Sequence, residues 1–161
     1  MNHKGAVNNQ VYVRFDARSV NEGFARMVVM GFMMDMNPTM DELADVKTAV
    51  SEAVTNAIIH GYAKNEKCVL GENNELPQVE LRCVREGQLL TILVEDHGVG
   101  ILDIEEARKP FFTTKPELER SGMGFSFMES FMDEVEISSV PGQGTSILMR
   151  KYISIKEQSG V

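Results

Sequence analysis

The sequence predicts an α+β fold: a two-layer α/β sandwich with helices on one face of a mixed, mostly antiparallel sheet. Three observations carry this. Two pairs of alternating apolar stretches, each joined by a short turn, read as antiparallel hairpins. Two segments with apolar residues at helical spacing lie together ahead of them. Between the hairpins runs a stretch rich in glycine and proline, too long for a plain connection inside a compact domain. A length of 161 residues fits one domain. That domain is expected to have its core at about 8–152 and a frayed tail at 156–161.

Val11, Val13 and Phe15 alternate with polar neighbours and predict a first strand. Ser19-Val20-Asn21-Glu22 has the spacing of a capping box and opens a helix through about Met34. Phe24, Met27, Val28, Gly31 and Phe32 follow at helical spacing, and Asn37-Pro38 breaks the pattern. Its methionines suit core filling, with some left for a partner surface. Thr39-Met40-Asp41-Glu42 is a second capping box. The helix it opens should reach about His60, with Gly61 as a left-handed cap and an apolar stripe of Leu43, Val46, Val50, Ala53 and Ala57.

Residues 63–77 read as a polar loop. Val79, Leu81 and Cys83, a turn at Glu86-Gly87, then Leu90, Ile92 and Val94 form the first hairpin. A short helix fits Asp103 to Arg108, and a short apolar helix fits Met123 to Met132. Val135–Val140 and Thr145–Tyr152 close the chain as a second hairpin around Pro141-Gly142-Gln143-Gly144.

Lys and Arg number 16 against 24 Asp and Glu, a formal net charge of −8. That excludes a general binder of nucleic acid or anionic membrane, which needs a basic surface. Residues 1–16 lack the apolar run of an export signal. The most apolar stretch, Met27 to Met36, falls far short of the roughly 20 residues that span a bilayer. A cytoplasmic protein is therefore expected. Cys68 and Cys83 match no metal-ligand spacing and suit a reduced pair.

Four constellations carry chemistry. Glu52 and Asn56 are four apart, on one helix face, with His60 continuing the row. A carboxylate and an amide oxygen there can orient a nucleophile and ligate a hard cation, although a solvated helix face has the same pattern. No second ligand accompanies His60 at metal spacing, which leaves it a structural, hydrogen-bonded role. Asp96-His97-Gly98-Val99-Gly100 follows a strand, where a carboxylate can accept from an exocyclic amine and glycines admit a flat ligand. An acidic turn would look alike, and the spacing is not that of a dinucleotide fingerprint. Arg120-Ser121-Gly122-Met123-Gly124 opens a helix, whose free N–H groups suit phosphate oxygens. Gly144-Thr145 enters the last strand, where a hydroxyl can meet a base edge.

Taken in order, Glu52-x-x-x-Asn56, Asp96-x-Gly98-x-Gly100, Gly122-x-Gly124 and Gly144-Thr145 resemble the motifs of the GHKL ATPase superfamily. The stretches SEAVTNAIIHGY, NEGFARMVVMGFM and EDHGVGILDIEEARKPFFTTKPELERSGMGFSFMESFMDEVEI resemble, more narrowly, the anti-sigma serine kinases of endospore-forming bacteria. The resemblance covers about residues 8–151 and implies a Bergerat-type ATP site with a long ATP lid over about 101–121. It implies that Asp96 receives the adenine amine, with Thr145 nearby, and that Gly98 and Gly100 shape the adenine floor. Asn56 would hold Mg2+ on the phosphates of ATP or ADP. Gly122 and Gly124 would give backbone donors, Arg120 would reach the terminal phosphate, and Glu52 would be the general base.

The partners implied are a sporulation sigma factor, contacted through Glu22 and Arg26, and an anti-anti-sigma protein phosphorylated on serine. Glu22 and Arg26 also fit an ordinary ion pair one helical turn apart. A homodimer is implied as well. A stress-response version of the same switch, and a nucleotide-dependent sigma-binding module without catalysis, are the alternatives. The lid's charge suits the assignment. Residues 101–107 carry net −3, whereas residues 108–124 carry net +2, so positive charge gathers where phosphates are expected.

Overall fold

The computed structural model describes residues 7–62, 76–109 and 124–156. Its element order is β1 (Asn9–Asp16), α1 (Val20–Met33), α2 (Met40–Thr55), β2 (Gln78–Glu86), β3 (Leu89–Asp96), α3 (Ile104–Ala107), α4 (Gly124–Phe131), β4 (Glu134–Val140) and β5 (Gly144–Tyr152). The strands form one five-stranded sheet in the order β1-β2-β3-β5-β4. Every pairing among the described residues is antiparallel.

Apolar residues of alternate strand positions and of the helices fill one core. Val79, Leu81, Ile92 and Val94 from the sheet meet Val29, Val46, Val50 and Met128 from the helices, all essentially without solvent contact. Burying each such side chain contributes about 1.5–3 kcal/mol before entropy is counted. Cys83 lies in this core, and burial pushes its thiol up to about 12, so it packs as a small hydrophobe. Lys151 ties α4 down by donating to the carbonyl of Phe131 at the helix C-terminus (2.6 Å).

The second capping box is complete. Thr39 Oγ1 accepts from the Glu42 N–H (3.1 Å), and Glu42 Oε2 accepts from the Thr39 N–H (2.8 Å). The first is not formed. Ser19 has helical backbone angles and makes no side-chain cap bond. Glu22 instead turns both carboxylate oxygens toward Arg26 Nη1, each at 2.8 Å. A charged donor one turn ahead outcompetes a neutral backbone N–H for the same acceptor.

The end of α2 departs from expectation too. Asn56–Gly61 is π-helical, with Tyr62 after it. Gly61 has no positive φ and is not a left-handed cap. Its small size serves packing: a Cβ there would lie 2.8 Å from the Asp96 carboxyl group. On α1, Ala25, Val29 and Met33 face the core while Phe24 and Met27 are exposed. The buried stripe is thus rotated from the expected one. The 63–75 part of the expected loop, the 110–121 part of the expected lid, residues 122 and 123, and tail residues 157–161 lie outside the described residues.

Candidate functional site

The register lines up one row across the inner face of the sheet. Phe15 pairs with Val79, Val79 with Asp96, Asp96 with Thr145, and Thr145 with Ser139. The row is apolar on the β1 side and polar on the β4 side. Asp96 and Thr145 are the buried polar residues of the described core, at 7% and 9% exposure. A buried carboxylate without compensation is costly, so this placement calls for a reason.

Asp96 Oδ1 accepts from the Gly98 N–H at 2.9 Å. Burial pushes its carboxyl up to about 6, against the pull of the Gly98 and Thr145 N–H groups and of His97. Three glycines let backbone close around it. A Cβ on Gly98 would stand 1.9 Å from the Gly61 carbonyl oxygen. One on Gly144 would stand 2.0 Å from the Asp96 carbonyl oxygen, and Gly144 also has φ +122°. The turn after β3 is tied to the end of α2 by Val99 N–H to Gly61 O (2.9 Å). Tyr62 strengthens the tie: its hydroxyl donates to Gln78 O (2.6 Å) and accepts from the His97 N–H (2.7 Å).

A narrow cavity opens over Asp96 and Thr145. Asn56, His60 and Gly61 bound it from α2 and its π-helical end, Gly100 and Ile101 from the loop after β3, Phe125 from α4, and Ile147 from β5. Polar Asn56, His60, Asp96 and Thr145 thus share the lining with apolar Ile101, Phe125 and Ile147, a mixture that suits a flat heteroaromatic ring with a polar edge. Gly124, buried at the first position of α4, adjoins the lining residue Phe125, so the start of that helix borders the cavity.

The structure thus brings together Asn56, Asp96, Gly100 and Thr145, with Gly98 and Gly124 beside them. Glu52 lies one turn before Asn56 on α2, half-buried, and does not line the cavity among the described residues. Arg120 and Gly122 lie outside the described residues. Glu22 and Arg26 form the ion pair on α1, away from the cavity, and Arg26 Nη1 also approaches Ser51 Oγ at 3.4 Å. Sequence reasoning missed Phe125 and Ile147 as apolar lining, and Ser139 altogether. Nothing in the motif spacing signals Ser139, because it joins the site only through the β4–β5 register.

Comparison with known proteins agrees with this fold. Residues 13–151 match the histidine kinase-like ATPase domain family. Anti-sigma F factors of Geobacillus kaustophilus and of Bacillus subtilis strain 168 are each 50% identical over 148 residues, 92% of this chain and 95% of the relative. A crystal structure of the RsbU and RsbW domains of Rv1364c from Mycobacterium tuberculosis superposes with a TM-score of 0.58 at 16% identity. That match covers 91% of this chain and 32% of the other, and it speaks for the fold alone. By its fold, its cavity and these similarities, the chain belongs to the histidine kinase-like ATPase domain family and, within it, to the anti-sigma F factors.

Proposed function

We propose that this protein is an ATP-dependent serine protein kinase that also sequesters a sporulation sigma factor and phosphorylates its anti-anti-sigma antagonist. The buried Asp96–Thr145 pair, lining a cavity with apolar Ile101, Phe125 and Ile147 beside it, is the observation that carries the nucleotide reading. The partners rest on the half-identity with anti-sigma F factors over 92% of the chain.

Asp96 accepts the adenine amine, and Gly98 and Gly100 let the backbone lie against the ring. Gly124, with Gly122, offers N–H groups to the phosphates at the start of α4, and Arg120 contacts the terminal phosphate. No cluster of three or more metal-binding side chains exists among the described residues. Mg2+ binds through substrate phosphates and few protein oxygens, and the amide of Asn56, which lines the cavity, would supply the protein oxygen. Bound there, Mg2+ would offset phosphate charge. The acceptor serine oxygen attacks the γ-phosphorus, the bond from that phosphorus to the β–γ bridging oxygen breaks, and ADP leaves. Glu52 accepts the serine proton. The gain comes from alignment and charge stabilisation.

Glu22 and Arg26 are sigma-factor contacts. The exposed apolar residues of α1, Val20 at 77%, Phe24 at 50% and Met27 at 70%, form a homodimer face. Among the described residues no helix is long and apolar enough to cross a membrane, in keeping with action in the cytoplasm. The test is transfer of label from γ-labelled ATP to purified anti-anti-sigma protein. Phosphoserine is expected with the wild type and is lost with Glu52→Gln, which still binds ATP. Absence of phosphoserine with the wild type would overturn the kinase reading.

A further inference from the structure

Ser139 Oγ makes three contacts: the Ile101 N–H at 2.7 Å, the Gly144 carbonyl oxygen at 3.0 Å and Thr145 Oγ1 at 2.9 Å. A hydroxyl has one proton and two acceptor sites. The amide can only donate and the carbonyl can only accept, so the Ser139 proton goes to Gly144. All three contacts are then satisfied only if Thr145 donates to Ser139. The proton of Thr145 is committed away from the cavity, and Thr145 meets a ligand through its lone pairs. Asp96, across the β3–β5 register, is the acceptor beside it.

We infer that Ser139 is a specificity-determining positioning residue, which holds Thr145 as an acceptor so that the Asp96–Thr145 wall takes a 6-amino purine and rejects a 6-oxo purine. An exocyclic amine carries two hydrogens, one for each acceptor. A 6-oxo group would set its lone pairs against theirs, and buried unpaired acceptors are what make such sites selective. Ser139 acts through Thr145 and is no catalytic residue. It also anchors Ile101, so the same hydroxyl joins the base wall to the first residue of the expected lid.

This inference rests on the adenine-nucleotide reading, and one experiment separates the two. Calorimetric affinities for ATP and for ITP are measured in Mg2+ buffer with the wild type, Ser139→Ala, Ser139→Thr and Thr145→Val. The wild type prefers ATP. In Ser139→Ala the Thr145 hydroxyl is free to turn and donate, so the preference narrows by about fivefold. Ser139→Thr keeps the hydroxyl and the preference. In the Thr145→Val background, adding Ser139→Ala changes the ratio no further. Equal weakening of both nucleotides in Ser139→Ala, with the ratio unchanged, would mark Ser139 as merely structural and overturn the inference. A wild type that binds neither nucleotide would overturn the nucleotide reading itself. Thr145→Val reaches the same wall without altering Ser139, and an unchanged ratio there also counts against it.

Discussion

Asp96 is held where a carboxylate is costly, and its burial links stability to pH. With the folded value raised to about 6, the folded chain keeps this proton to higher pH than the unfolded chain does. Stability therefore falls as pH rises from the ordinary carboxylate range through about 6, and the loss persists at neutral pH. Asp96→Asn removes the charge and should stabilise the protein at pH 7.5 by on the order of 2–3 kcal/mol, with little change near pH 3.5. Urea unfolding at the two pH values checks this. The same variant should lose most of its ATP affinity, the exchange of stability for function that marks a working residue. In the wild type, ligand amines favour the ionised form, so adenine-nucleotide affinity should fall as pH drops through about 6. Asp96→Asn should lack that dependence. Asp96 and Thr145 were legible as motif residues because their chemistry is written in local spacing. Ser139 was not, since its role comes from lying opposite Thr145 in a register that only the folded sheet specifies.

At the scale of elements, α2 contrasts a legible start with an illegible end. Its N-terminus is local chemistry: both halves of the Thr39–Glu42 box lie within four residues. Burial works against the Glu42 carboxylate, yet bonds from Thr39 and Ser154 hold it below its usual range. Thr39→Ala should cost about 1 kcal/mol in chemical denaturation. Ser19–Glu22 has the same spacing and makes no box, because Arg26 claims Glu22. Spacing alone cannot register that competition. The π-helical end at Asn56–Gly61 arises from contacts distant in sequence, where Gly61 meets Asp96 and bonds to Val99. Such wide turns recur at functional sites because they re-aim side chains. Gly98→Ala should be far worse than an ordinary helix or loop substitution, because its Cβ would meet rigid backbone at 1.9 Å. A loss of at least about 2 kcal/mol, read from thermal unfolding, is expected.

At the scale of the whole molecule, the two-layer architecture was legible because alternation and helical spacing hold over long stretches. The strand order was less so, since β3 and β5 pair across nearly fifty residues of intervening chain. The orientation of α1 was also misjudged, as its apolar residues run around more than one face and two surfaces compete for them. The outward set is the proposed dimer face. Met27→Glu should shift the protein from dimer to monomer in sedimentation equilibrium and leave the unfolding temperature of dilute protein little changed. The sheet itself has a seam. Its first three strands and its last two meet only where β3 pairs with β5, and Asp96 and Thr145 sit at one end of that junction. A base held by both would act as a suture between the halves. Nucleotide should then slow hydrogen exchange well beyond its own contacts, along β5 and into β4, so that the C-terminal hairpin records occupancy of the site at a distance.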